Sequence, residues 1–506
     1  MKGRLVIMNI NRSHVRSLSK GTGAVQSGHM IQDYPVKVLQ IGEGNFLRGF
    51  FDWMIHECNK QGNFQGSIVV TQPRPSGKGK IEKLKQQDGL YTLMIRGIQN
   101  GEKVERKEII SVFSKAVDPC GEWVEFLELS QNPTLEFVVS NTTEAGLTYQ
   151  PISWKEGEPI ESFPGRLTAF LYERYLYFNG DSEKGLIMLP CELLERNGDT
   201  LKQCVLQHSR DWELPKSFMD WVDQDNLFLN SLVDRIVTGF PAKEAEAWFA
   251  EWGYEDSLLN TAEPYHVWAI EGNPSLDQRL PLKQSGLNVH WVEDLVPYQM
   301  RKVRILNGSH TLMAPLGILS GLDEVGQVMN HPGFNRFLRQ AIEKEIIPSL
   351  SFARNEMMQY AESVLERFMN PFVQHRLADI SLNSLSKFKV RLLPTLEAYF
   401  EKEGRLPVCV VRAFAGLIRF YKVQKVKESY VGKRFDGKEY IVNDHVQAVE
   451  FLKEQWFCYE AAEISLQQLV ENVLSNQSLW GKDLNMFPGL AAELSHHLEN
   501  NEAGIL

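Results

Sequence analysis

Three side chains within nine residues could move a proton on and off an alcohol or ketone oxygen. The segment from Tyr298 to His310 reads YQMRKVRILNGSH and carries Lys302, Asn307 and His310. Interconverting an alcohol and a ketone requires a proton to move at oxygen while hydride moves at carbon. A lysine whose pKa is depressed by burial can exchange that proton without a metal. An amide donor can hold the developing alkoxide, and an imidazole can orient the hydroxyl or the lysine. On an α-helix at about 100° per residue, Asn307 lies roughly 140° from Lys302 and His310 roughly 80° from it, so all three can face one cleft. A bare K-x4-N-x2-H also fits a solvated helix face with a capping asparagine.

Hydride chemistry needs a carrier, and a second motif could hold one. In KVLQIGEGNFLRGFFDW a short apolar strand runs into Gly42-Glu43-Gly44 and then into apolar residues at helical spacing, Phe46, Phe50, Trp53 and Met54. In a dinucleotide site the first glycine makes the turn and the second lets a pyrophosphate approach the backbone, while the following helix offers free N–H groups. The candidate cofactor-binding stretch is Leu39, Gln40, Ile41, Gly42, Glu43, Gly44, Asn45, Phe46, Leu47, Arg48, Gly49 and Phe50. Its fingerprint is imperfect, because Leu47 occupies the third glycine position and Gly49 follows two residues late. A plain strand-to-helix turn is the competing explanation. The second strand ends in Thr71-Gln72-Pro73-Arg74, with no acid for a ribose hydroxyl. Arg74 could equally face a 2′-phosphate, so NAD and NADP both remain open.

These motifs need a frame. SIVVTQPRP, TLEFVVSNTTEAG (134–146) and KGLIMLPCELLERNG (184–198) repeat the apolar-strand-to-polar-turn pattern, with helical stretches at 119–130 and 164–178 between them. Strands alternating with helices predict an α/β, Rossmann-type N-terminal domain with a parallel sheet, over residues 34–295. Asn100-Gly101 predicts an inserted hairpin within 90–113. After about residue 295 strand signals fade. Stretches 298–320, 334–369, 384–403, 408–425 and 444–473 predict a mainly helical domain over 296–506, with a hairpin around Gly432 to Tyr440. Residues 1–33 read as a loose extension that carries no chemistry.

Composition excludes other classes. The 506 residues are 43% hydrophobic and 23% charged, a globular profile with room for two to four domains. The 54 Lys+Arg against 64 Asp+Glu leave a net charge of −10. Residues 1–300 hold 30 Lys+Arg and 40 Asp+Glu and residues 301–506 hold 24 of each, so no basic domain stands ready for nucleic acid. No apolar run approaches the roughly 20 residues of a membrane span. Leu5 to Met8 falls short of the about 7–15 apolar residues of a secretory signal. The six cysteines form no C-x-x-C pair and read as reduced thiols in a cytoplasmic protein. Nothing in the composition sets an oligomeric state.

K-x4-N-x2-H, as Lys302, Asn307 and His310, resembles the signature of the mannitol dehydrogenase family, the polyol-specific long-chain dehydrogenases. The likeness continues through the glycine turn, VSNTTEAG (139–146), LPCELLERNG (189–198), VDRIVTGFP (233–241) and RFMNPFVQHRLADISLNSLSKFKVR (367–391). GEGNFLRGFFDW (42–53), LPCELLERNG and the RFMNP segment resemble the branch that acts on hexuronic acids. The resemblance implies an NAD-dependent, zinc-free oxidoreductase with Lys302 as general acid/base, Asn307 polarising the oxygen and His310 positioning a sugar-acid substrate. Arg367, Lys387 and Arg391 are the implied candidates for the substrate carboxylate. Glu144 matches a family glutamate near the proton exit path. One departure stands out: the family's second oxyanion asparagine comes from C-D-N-L-P, and here Cys191-Glu192-Leu193 puts leucine in its place. Polyol dehydrogenases of the same fold, and a dinucleotide-binding protein without catalysis, are the alternatives.

Overall fold

The computed structural model describes residues 8–18, 32–155 and 157–501. The chain divides into two compact units between Leu295 and Val296, with Asn100–Glu102 counted with the second.

The first unit is built on six parallel strands: β1 (Val36–Ile41), β2 (Ser67–Thr71), β3 (Phe113–Val117), β4 (Phe137–Ser140), β5 (Ile187–Pro190) and β6 (Leu227–Phe228). Their order across the sheet is β3-β2-β1-β4-β5-β6, which reverses beside β1. The strands are apolar nearly throughout because both faces are covered. Alternation divides their side chains between two cores. Val38, Ile68, Val70, Phe137 and Val139 enter one, and Leu39, Ile41, Val69, Val138 and Met188 the other.

The inserted hairpin runs over Tyr91–Gln99 and Glu102–Ile110. Asn100 (φ 55°) and Gly101 (φ 79°) take the left-handed conformations its turn requires. It gains a third strand, because Asn260–Ala262 pairs parallel with Leu93–Ile95.

The extension differs from its sequence reading where it is described; the rest of it, residues 1–7 and 19–31, lies outside the described residues. Met8–Asn9 pairs parallel with Tyr254–Glu255, and Arg12–Leu18 is helical. The side chain of Ile10 is fully buried, and Arg12 donates to the carbonyls of Asp88 and Phe113, both at 3.2 Å. One apolar anchor and one arginine dock a segment too short to show periodicity.

The second unit is mainly helical, with one three-stranded antiparallel sheet of Val423–Val426, Ser429–Lys433 and Glu439–Val442. Four of its helices matter below: α1 (Gly308–Leu319), α2 (Arg354–Phe368), α3 (Ser384–Arg391) and α4 (Val408–Phe420). Helices α1 and α4 pack closely at Gly416, where a Cβ would sit 2.3 Å from Leu316 Cδ2. The two backbone N–H groups that open α4, at Cys409 and Val410, are taken by the buried Glu345 carboxylate at 2.8 and 2.9 Å. Several predicted long helices are broken. The stretch 384–403 divides at Leu392, and 334–369 contains a π segment at Ile342–Ile346. The most consequential break lies at the lysine motif.

Candidate active site

Lys302 opens a π segment, Lys302–Asn307, between the helix Val296–Arg301 and α1. The Gly308 N–H donates to the carbonyl of Val303, five residues back. In such a turn residue i+5 lies closer to residue i around the helix axis than the roughly 140° of α geometry. The K-x4-N spacing therefore puts Asn307 on the same side of the chain as Lys302. The α-helical angles expected from the sequence do not hold here, since a hydrophobic stripe cannot distinguish six π residues from six α residues. Lys302 and Asn307 are half-buried. Asn307 is tied in through its carbonyl, which accepts from the Thr311 hydroxyl at 3.0 Å.

His310 follows on the first turn of α1. Its ring lies against Phe368 (centroids 4.5 Å apart) and meets His375 edge-on at 4.6 Å. Burial, and then the neighbouring His375, Arg391, Arg367 and Lys387, hold its pKa well below the ordinary histidine value. The imidazole is therefore neutral, and its Nε2 is buried without a hydrogen-bond partner.

The three arginine and lysine candidates converge on this ring from two helices. Arg367 is the residue before Phe368 on α2 and is 7% exposed. Lys387 and Arg391 stand one turn apart on α3. Arg391 donates to the Thr311 hydroxyl at 3.2 Å, and Arg304 donates to the carbonyl of Arg391 at 3.4 Å, which ties the end of α3 to the π segment. Lys387 donates to the carbonyl of Ile380 at 2.8 Å. Burial lowers the pKa of both Lys387 and Arg391. Among the described residues, neither is ion-paired with a carboxylate. Cations gathered around a neutral histidine suit an anionic ligand. His375 and Thr311 were not legible in advance: nothing in the periodicity links positions 310 and 375.

In the first unit, β1 ends at the glycine turn. Gly42 adopts φ 137°, and a Cβ there would meet the carbonyl oxygen of Asn141 at 2.8 Å, so position 42 needs glycine for the fold itself. Gly44 does not: its φ is −67°, and a Cβ would meet nothing within 4 Å. Open space above Gly44, at the point where the strand order reverses, fits a dinucleotide approaching the backbone. Gly49 does the packing expected of a third glycine, because a Cβ there would sit 2.8 Å from Val237.

The other candidates of this stretch form the scaffold. Leu39 and Ile41 lie in one core, and Leu47 and Phe50 in the other with Phe46 against it. The Gln40 amide donates to the carbonyl of Gly42 at 2.9 Å. Arg48 is wholly buried behind the turn, where it donates to the carbonyls of Glu43 (3.3 Å) and Leu258 and to Asn45 Oδ1 (2.7 Å). Glu43 is nearly buried, and burial raises its pKa. At the end of β2, Gln72 donates to the Asp118 carboxylate, and Arg166 holds the Gln72 carbonyl at 2.7 Å.

Glu144 is exposed at the start of the 3-10 turn Glu144–Leu147. Leu193 is 69% exposed. Its neighbour Glu192 is buried and accepts from the Thr142 N–H at 2.9 Å and the Ser140 hydroxyl at 3.1 Å, which locks β4 to β5. Farther along the second unit, Lys422 pairs with Glu460, Lys425 with Glu450 and Arg434 with Asp323. Among the described residues no cluster of three or more His, Cys, Asp or Glu could hold a metal, and no helix is long and apolar enough to cross a membrane.

A parallel sheet in this order with a glycine turn after its central strand defines a Rossmann domain. The family models agree: Mannitol dehydrogenase Rossmann domain matches residues 36–284, and Mannitol dehydrogenase C-terminal domain matches residues 294–501. The chain belongs to the mannitol dehydrogenase family. It is 43% identical over 470 residues to a protein of Halalkalibacterium halodurans named altronate oxidoreductase, covering 92% of this chain and 91% of the relative. A Bacillus subtilis protein of the same name is 42% identical over 467 residues, covering 92% and 93%. Among solved structures, substrate-free D-sorbitol dehydrogenase shares the fold with a TM-score of 0.78 at 20% identity. Pseudomonas fluorescens mannitol 2-dehydrogenase, in a ternary complex with NAD and D-mannitol, does so with 0.64 at 19%. Each covers 98% of both chains.

Proposed function

We propose that this protein is a cytoplasmic enzyme that reversibly reduces D-tagaturonate to D-altronate with NADH, using Lys302 rather than zinc as general acid/base. The observation that carries the reading is the cationic cradle of Arg367, Lys387 and Arg391 around a neutral His310, on the helix that follows Lys302 and Asn307. A neutral polyol has no use for such charge, whereas a sugar acid does. The altronate oxidoreductase name of the relatives and the NAD in the mannitol 2-dehydrogenase complex support the substrate and the cofactor.

The cofactor fits the open face of Gly44 and, when bound, supplies or accepts hydride. Lys302 gives its proton to the ketone oxygen in reduction and takes it from the hydroxyl in oxidation, which requires a neutral amine. The oxidative rate therefore rises with pH. The Asn307 amide donates to the oxygen as negative charge develops on it. Without the second family asparagine, Asn307 carries more of that stabilisation. His310 orients the neighbouring hydroxyl, while the carboxylate is held by Arg391 and Lys387, with Arg367 behind them. Glu144 is the proton's route to solvent.

Initial rates followed at the NADH absorbance band, with tagaturonate, fructuronate and fructose and with NADPH in place of NADH, test this reading. The expected order puts tagaturonate with NADH first. Fructose turned over as well as tagaturonate would overturn it, and no hydride transfer to any of the three would indicate a binding protein without catalysis.

A further inference from the structure

We infer that His375 is a positioning residue that fixes the ring of His310, and that it does so by aromatic edge contact. The inference rests on the reading of His310 as the residue that orients the substrate hydroxyl. The His310 ring is held by its neighbours' rings. Phe368 lies against one side with 35° between the planes, and His375 meets it at 76°, edge to face. With Nε2 buried and unpartnered, no hydrogen bond from that atom sets the ring's rotation. Two ring contacts at roughly 4.5 Å, each of modest strength, therefore decide where the imidazole points.

The segment that carries His375 is placed accurately enough for that task. The His375 carbonyl accepts from the Val325 N–H at 3.0 Å, and the Leu377 N–H donates to the Asp323 carbonyl at 2.9 Å. Leu377 is fully buried and lies so close to α1 that a Cβ on Gly317 would sit 2.6 Å from its Cδ1. The segment that carries His375 is thus held through Val325, Asp323 and Leu377 beside α1, the helix that carries His310. Burial holds the His375 pKa below the ordinary histidine value, with Asp379 and Arg367 pulling it in opposite directions. A substrate-orienting ring that rotates loses near-attack geometry, and small misplacements have large rate effects.

Two variants of similar bulk separate an aromatic edge from simple filling. His375→Phe keeps a ring, and His375→Leu does not. Both are compared with the unaltered enzyme for kcat, sugar-acid KM, NADH dissociation constant by fluorescence, and melting temperature. The expected result is a fall in kcat/KM of about tenfold or more for the leucine variant, most of it restored in the phenylalanine variant. NADH affinity and melting temperature stay unchanged in both. Equal loss in the two variants, or no loss in either, would overturn the inference. His310→Ala is run alongside: full activity in that variant refutes the role given to His310, which distinguishes failure of the underlying reading from failure at His375.

Discussion

Replacing Arg391 by glutamine removes a charge from the cradle while keeping a polar side chain at that position. In the native protein this guanidinium is half-buried, donates to Thr311 at 3.2 Å, and lies near two further cations with no carboxylate paired to it. A substrate carboxylate would form the charge-assisted hydrogen bond it lacks, worth about 1.5–3 kcal/mol. That range corresponds to a loss of roughly 10- to 150-fold in kcat/KM for D-altronate. The backbone carbonyl at 391 still accepts from Arg304, so α3 should stay docked and NADH binding unaffected. The assay compares kcat/KM for D-altronate with that for an uncharged hexitol, in the oxidative direction at fixed pH. The charged substrate should lose its advantage while the hexitol changes little. An equal loss on both would mean that Arg391 supports the fold and does not read the carboxylate.

Three further outcomes follow from other parts of the molecule. Gly44→Ala should leave the melting temperature unchanged, because its Cβ meets nothing within 4 Å, yet weaken NADH binding in a fluorescence titration; unchanged affinity would place the cofactor elsewhere. Burial, and then Arg235, lower the His266 pKa from 6.5 to about 4. The unfolded chain takes up that proton first as the solution is acidified, so stability present above pH 6.5 is lost toward pH 4, by about 3 kcal/mol, and denaturant melts across that window measure it. Burial, and then the bond to Glu57, push Glu108 up to about 7, so its neutral form is the one the fold favours, and the associated stability disappears as pH rises through that value. Glu108→Gln, fixed in the neutral form, should melt higher than the native protein at pH 8 and lose that advantage by pH 5; a gain independent of pH would contradict the assignment.

What could be read from the sequence depended on whether a feature is local. The strand-turn grammar of LQIGEG and VVSNTTEAG located β1 and β4, because a buried parallel strand is an apolar run ended by polar turn residues. Asn100-Gly101 announced its hairpin through positive φ at both residues. The lysine motif was visible as residue types, but not as a shape: an apolar stripe permits either α or π winding, and only the Gly308-to-Val303 bond shows which one forms. By sequence Arg48 belongs to the cofactor-binding stretch, but the fold turns its side chain inward to three acceptors, one of them 210 residues away. His375 lay inside the RFMNP segment with nothing to mark it, because its significance comes from a ring 65 positions earlier. Leu193 is conspicuous in the opposite sense, since a leucine so exposed just beyond a strand's carboxyl end satisfies no packing requirement.

The central claim is that one amine handles the proton. Lys302→Ala, assayed for turnover of D-altronate with NAD alongside an NADH titration, tests it most directly. The expected result is turnover lowered by three orders of magnitude or so, with cofactor affinity nearly intact, as removal of a general acid/base entails. Turnover within a fewfold of the native enzyme, or loss of NADH binding with the chemistry retained, would contradict it.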